Sequence, residues 1–137
     1  MKKTFKLSIR TPQENILEKQ VVSIYFANEE GDLMVLAHHA NYMTTLQFSR
    51  VIVVDEKGNE ETYMARNGLF IFDNKTNTGR MLALYAEHTH HVSSQTIQEY
   101  LAFLNEQLVK GEDLSQFQLV YLHREKLGVE KQIKQLG

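Results

Sequence analysis

Five of the six histidines fall in two short tracts, His38-His39 and His88-Thr89-His90-His91. Imidazole is the side chain best suited to bind a metal or move a proton near neutral pH. In an extended strand His88 and His90 would point to one side and could share a transition metal, with a third nitrogen from the other tract. A cupin-like site would also want a glutamate a few residues beyond the His-x-His pair, but the first one, Glu99, comes nine residues after His90 in a helical pattern. Strand-end histidines without a metal are the expectation. Ser93-Ser94 leads into a helix and suits capping, with no Gly-x-Ser-x-Gly elbow around it. The glycines form neither a phosphate loop nor a dinucleotide fingerprint. Glu29-Glu30 and Glu60-Glu61 flank turns, where solvated charge accounts for them. With no cysteine, thiolate catalysis and Cys-type zinc sites are excluded. These residues predict no catalytic site, no metal and no cofactor.

The elements that must position these groups change character once. Up to about Glu87 the pattern has period two: Phe5, Leu7 and Ile9, then Val22, Ile24 and Phe26 against Val21 and Tyr25. Arg50–Val54 and Glu61–Ala65 read as a hairpin through Asp55-Glu56-Lys57-Gly58-Asn59, and Leu69–Phe72 joins Met81–Tyr85 through the polar loop Asp73 to Gly79. Many short strands with Gly and Asn turns predict an antiparallel β-sandwich or flattened barrel. After His91 the period is helical: Ile97, Tyr100, Leu101, Leu104 and Leu108 form one apolar stripe, with Thr96 and Glu99 at capping-box spacing. Lys110-Gly111-Glu112 stops that helix. Asp113 starts a second, with Gln116 three residues on and Leu114, Phe117, Val120 and Tyr121 on its inner side. Gly128 predicts a kink or early fraying there. The expected organisation is a β-sandwich domain over residues 1–90 and a C-terminal antiparallel two-helix hairpin over 91–137.

The chain has 137 residues, 15 Lys and Arg against 17 Asp and Glu, and a formal net charge of −2, so net charge points to neither nucleic acid nor an acidic membrane face. Met1-Lys2-Lys3-Thr4-Phe5-Lys6-Leu7 moves straight into alternation without a signal-type apolar block, and the expectation is a protein kept in the cytosol. No run approaches the roughly 20 apolar residues that span a bilayer. Membrane association is therefore expected only through a partner.

The stretch from Asn28 to Leu46, with Glu30-Gly31 at a turn, a short strand, and the pair His39-Ala40, resembles the epsilon subunit of F-type ATP synthases without a gap. Leu7-Ser8-Ile9-Arg10-Thr11-Pro12 resembles that family's opening strand, and Asn67-Gly68-Leu69-Phe70 its paired-glycine turn before the last hairpin. The resemblance is strong to about residue 92 and only in outline beyond. It implies a non-catalytic central-stalk subunit whose β-sandwich clamps the gamma subunit and sits on the c-ring at the cytoplasmic face of the bacterial inner membrane. The helical hairpin would regulate the alpha/beta catalytic head. It makes Glu30 and Gly31 candidates for the c-ring contact, and His39 and Ala40 for the gamma contact.

Departures from the family are informative. Around the His-Ala pair the family has Pro, Gly and Pro where this chain has Ala37, His38 and Asn41, which predicts a looser loop. The Asp-x-x-Arg-Ala stretch through which some bacterial members bind ATP is replaced by Gln95-Thr96-Ile97-Gln98-Glu99-Tyr100, so no ATP site is expected. Arg124, Lys126, Lys131 and Lys134 offer charge toward acidic surfaces of the head, with a solvated face as the equal alternative. Such divergence would suit a sodium-translocating second rotary ATPase. The competing reading is a free-standing β-sandwich binding module or histidine-metal module.

Overall fold

The computed structural model describes residues 3–89, 94–109 and 114–136. Its strands are β1 (Phe5–Arg10), β2 (Asn15–Asn28), β3 (Gly31–Leu36), β4 (Tyr42–Asp55), β5 (Glu60–Asp73) and β6 (Thr78–His88), and its helices are α1 (Ser94–Val109) and α2 (Gln116–Leu136). The sheet runs β1-β6-β5-β4-β2-β3, and β1 also pairs with β2, so it closes into a flattened barrel. β1 is the closing strand, antiparallel to the first half of β2 and parallel to β6. β3 takes over the same edge of β2 where β1 leaves it, pairing with Ser23 to Asn28.

Phe5, Leu7, Val21, Ile24, Phe26, Phe70, Phe72 and Met81 fill the barrel. Val22 is not among them. The β2–β4 register shifts between Val21 and Ser23, and this bulge turns Val21 to the face of Ile24 and Phe26 in place of Val22. Nor are the strands short: β2, β4 and β5 each have 14 residues, so the Arg50–Val54 hairpin strand begins at Tyr42. Asn67-Gly68 is not a turn between strands but lies inside β5, with the register to β4 and β6 the same on either side.

That position has a different task. Positions two apart on a regular strand share a face, yet Leu46 and Ala83 face the barrel core while Phe48 and Tyr85 pack outside it. The reversal spans three strands at one level, because Leu46, Gly68 and Ala83 share one row and Phe48, Arg66 and Tyr85 another. Between them Asn67 adopts φ 55, a left-handed conformation that Asn tolerates. Gly68 allows the crowding: a Cβ there would lie 3.2 Å from Leu46 Cγ and 3.3 Å from the Leu82 carbonyl oxygen.

The outward set, Phe48, Met64 and Ala27 with Tyr85, is the seat of the helices. Ile97, Tyr100 and Leu104 of α1 and Tyr121, Leu122 and Val129 of α2 are buried on it, with Leu101 and Leu108 alongside. Tyr100 and Phe103 bring their ring centroids to 4.9 and 5.8 Å from that of Phe48, and the Arg66 guanidinium lies 4.2 Å from the same ring. Thr96 is the third residue of α1 and does not cap it. Glu99 instead pairs with Arg66 at 2.7 Å. The box on α2 is Ser115 and Gln118, since the Gln118 N–H donates to Ser115 Oγ and the Ser115 N–H donates to Gln118 Oε1. Val120 is exposed, not inward, and α2 runs unbroken through Gly128. The expected stop at Lys110-Gly111-Glu112, the cap at Asp113, and the side chains of Gln116, Phe117 and Lys134 lie outside the described residues.

Candidate functional site

The Glu29-Glu30 turn joins β2 to β3, closing on the pair Asn28 and Gly31. Asn28 Oδ1 accepts from the Glu30 N–H at 2.8 Å, and Gly31 at φ 128 occupies a conformation open in practice to glycine. Glu30 projects from this turn and is exposed. The turn is not isolated. Gln118 Nε2 of α2 donates to the Glu29 carbonyl, and Gln118 Cγ would lie 3.8 Å from a Cβ on Gly31. Nearly two turns of helix further on, Arg124 bonds Asp32 Oδ2 at 3.0 Å and the Tyr25 hydroxyl at 3.1 Å, while that hydroxyl donates to Asp32 at 2.8 Å. Burial, then the Asp32 carboxylate, raise the Tyr25 pKa, and hydrogen bonding to Asp32 raises that of Arg124.

The His38–Asn41 loop stands without prolines, yet asparagines hold it. Asn74 Nδ2 donates to the carbonyls of His38 and His39 at 3.1 and 2.9 Å, and the Asn74 N–H donates to Asn41 Oδ1 at 2.7 Å. Asn77 Oδ1 accepts from the His38 N–H at 2.7 Å, while its Nδ2 donates to the Thr4 carbonyl at 2.9 Å. Side chains of the β5–β6 turn thus bond this loop where the prolines are missing. His38 takes φ 64 within this loop. His39 bonds through Nδ1 to the Ala40 carbonyl at 2.7 Å and packs its ring against Tyr42 and Phe72. Both His39 and Ala40 therefore lie at the barrel end lined by Phe72.

His88 lies at the other end, its ring 5.1 Å from that of Tyr63. Tyr63 and Phe72 are nine residues apart on β5, which is roughly 25–30 Å of strand. His88 and the His38-His39 tract therefore cannot share one metal. His90 and His91 lie outside the described residues, and among the described residues no three His, Asp or Glu side chains are grouped to hold an ion.

An ion pair not anticipated from the sequence clasps α2 to the sheet. Glu125, buried to 3% exposure, accepts from Arg50 Nε at 2.9 Å and Nη2 at 2.6 Å, and from the Tyr100 hydroxyl at 2.8 Å. The carboxylate raises the Arg50 pKa against the opposing effect of burial, and burial raises that of Tyr100. Burial likewise pushes the Tyr121 phenol up to about 12. The available signal was a carboxylate at position 125 on a stripe with Tyr121, Leu122 and Val129, which demands a cation from elsewhere.

On the other half of the sheet the outer face is uncovered among the described residues. Met43 pairs with Ile71 and that with Arg80, while Thr45 pairs with Leu69 and that with Leu82, all with the parity opposite to the core residues Leu46, Phe70 and Met81. Met43, Leu82 and Leu84 are 67%, 45% and 66% exposed, with Pro12 and Arg10 at the border of a shallow groove beside Leu82 and Leu84. Among the described residues no helix is long and apolar enough to cross a membrane.

The chain is a closed β-sandwich with two helices packed on one part of its outer surface and an apolar face beside them that is exposed among the described residues. Residues 4–88 match the family model described as ATP synthase, Delta/Epsilon chain, beta-sandwich domain. The chain belongs to that family. It is 35% identical over 68 residues to the ATP synthase epsilon chain of Mesorhizobium japonicum, a match spanning half of this chain and half of the relative. To the epsilon chain of Sinorhizobium medicae it is 28% identical over 131 residues, covering 93% of this chain and 96% of the relative. Among solved structures it resembles a chain of the Euglena gracilis mitochondrial ATP synthase, determined with OSCP, F1 and c-ring. There the TM-score is 0.62 at 18% identity, over 93% of this chain and 73% of that one, a likeness of fold.

Proposed function

We propose that this chain is a non-catalytic central-stalk subunit of an F-type ATP synthase, linking a gamma subunit to the c-ring and carrying a hairpin that regulates the catalytic head. The observation that carries the reading is the division of the barrel's outer surface. Helices occupy one half, while on the other Met43, Leu82 and Leu84 are exposed, with Leu69 and Ile71 half-buried between them. Gamma docks on this bare face and on the adjoining His39-Ala40 loop, which the asparagine contacts hold rigid. Glu30 and Gly31 present the β2–β3 turn to the polar loops of the c-ring. No bond is made or broken by this chain, since its work is transmission through shape and polar contact. Residues 1–90 and 91–137 act as separable elements. The subunit is peripheral, held at the cytoplasmic face of the bacterial inner membrane by its partners.

Calorimetry with purified gamma tests the reading directly: wild-type chain binds, and Leu82→Glu with Leu84→Glu abolishes binding while leaving the melting transition in place. Lack of affinity between wild-type chain and gamma refutes it. In an assembled complex, cysteines at position 30 and in the c-subunit polar loop cross-link.

A further inference from the structure

The contacts between α2 and the β2–β3 turn are more than packing. Gln118 uses both ends of one amide: Oε1 accepts from Ser115 N–H and completes the helix cap, while Nε2 donates to the Glu29 carbonyl. Arg124, further along the same helix, bridges Asp32 and the Tyr25 hydroxyl, and Asp32 follows Gly31 on β3. α2 thus grips both limbs of the hairpin whose tip carries Glu30. Within the turn itself the Glu30 N–H bonds Asn28 above the Asn28–Gly31 pair, and from β4 Gln47 adds a long contact of 3.4 Å to Glu29.

We propose that Gln118 and Arg124 are positioning residues that brace the Glu29-Glu30-Gly31 turn, so that ring engagement by this turn is coupled to the docked position of the helical hairpin. The inference rests on the ring contact proposed above and goes beyond it in assigning that contact a regulator. A turn held in its binding geometry loses less conformational freedom on association. Coupling of this kind is reciprocal: if a docked α2 raises affinity for the ring, ring engagement holds α2 docked by the same factor. Release of the helices toward the catalytic head therefore competes with the grip of the subunit on the ring, and the two ends of the subunit are linked thermodynamically through one helix.

The separating variant is Gln118→Glu, which keeps an acceptor for the Ser115 N–H and so the cap, but has no donor for the Glu29 carbonyl. It is combined with Arg124→Ala in the full chain. Leu127→Ala, on the exposed side of α2, is the control. Hydrogen exchange at the amides of residues 29–32 is measured on the chain alone, and affinity is measured for purified gamma and for a detergent-solubilised c-ring carrying gamma. The double variant should exchange about tenfold faster in the turn and bind the gamma-loaded ring about tenfold more weakly, the scale of one or two ordinary hydrogen bonds. Its affinity for gamma alone should match wild type, and Leu127→Ala should match wild type throughout. Ring affinity unchanged in the double variant, or lowered equally by Leu127→Ala, overturns the brace and leaves the stalk reading standing. A wild-type chain that binds gamma without gaining affinity from the ring removes the ring contact itself, and the coupling with it.

Discussion

Removing the Glu125 carboxylate tests whether the clasp between α2 and the sheet governs hairpin docking. Glu125→Ala strands two groups at once, the Arg50 guanidinium and the Tyr100 hydroxyl, which is 1% exposed. Breaking one partner of a buried pair costs about 3–5 kcal/mol. The Arg50 side chain keeps 31% exposure and can turn to water, so the lower end applies to it. With the hydroxyl left without its carboxylate acceptor, at about 1–3 kcal/mol, the summed loss should be near 4–6 kcal/mol. Part of it should appear as local undocking, visible as faster amide exchange in α1 and α2 before β4 or β5 is affected. Glu125→Gln keeps an acceptor for Tyr100 and should lose about half as much. The pair replacement Arg50→Met with Glu125→Leu removes both charge-desolvation penalties and should restore stability to within about 1–3 kcal/mol of wild type, the remainder being the Tyr100 hydroxyl that has lost its acceptor. Urea denaturation followed by far-ultraviolet circular dichroism, with near-ultraviolet tyrosine signals for docking, measures all four proteins. A double variant no more stable than Glu125→Ala would refute the reasoning, because removing the stranded guanidinium would then have recovered nothing.

Asn74→Ala removes the donor shared by the His38 and His39 carbonyls and should cost about 1–2 kcal/mol, with exchange rising selectively at residues 38–41. Gly79→Ala would place a Cβ 3.1 Å from Phe5 and 3.3 Å from Phe70. Overpacking of that kind should lower stability by about 1–3 kcal/mol, and a neutral result by thermal melting would show that the aromatic pair yields. Tyr121 is raised to about 12, so the folded state keeps a proton that the unfolded state releases near 10. Its contribution is whole below pH 10 and lost as pH rises toward 12; Tyr25, Tyr63, Tyr85 and Tyr100 are raised as well, so phenolate absorbance titration of Tyr121→Phe against wild type should isolate the step near 12, whose ionisation accompanies undocking. A chain ending near Thr89 should stay folded with a lower melting temperature. In the complex the loss of the hairpin should raise ATP hydrolysis or leave it unchanged, and ATP should not raise the melting temperature of the full chain; aggregation of the truncated chain, or a fall in hydrolysis, goes against separable elements.

The barrel was legible because period-two alternation and glycine turns are local signals, and the core residues Phe5, Leu7, Ile9, Ile24 and Phe26 follow from them. Val22 was misplaced because a bulge is decided by the partner strand, not by the strand that contains it. Asn67-Gly68 looked like a turn for a related reason, since a left-handed residue serves a chain reversal and a face reversal equally well. The stripes of both helices were readable, but the Arg50–Glu125 pair joins residues far apart in sequence and the asparagine clamps are side-chain bonds across loops. No periodicity carries either. Of the proposed site, the turn chemistry at Gly31 was visible in advance. Its grip by Gln118 and Arg124 was not, because it depends on where α2 crosses the sheet.

The closing strand has a consequence for how the chain reaches this state during synthesis. β1 emerges first, and β2 can pair with it at once, Phe5 against Val21. Its second edge waits for Lys6 to meet Thr78 and for Asn77 to reach the Thr4 carbonyl, so the barrel cannot shut until nearly all the sheet has been made. Closing so long a loop is entropically late and slow compared with helix formation. Until it happens β1 offers an open edge beside apolar core residues, the circumstance in which a nascent sheet pairs with its neighbours. Mutations that weaken β1 or the β5–β6 turn should therefore reduce the yield of soluble chain more than its final stability.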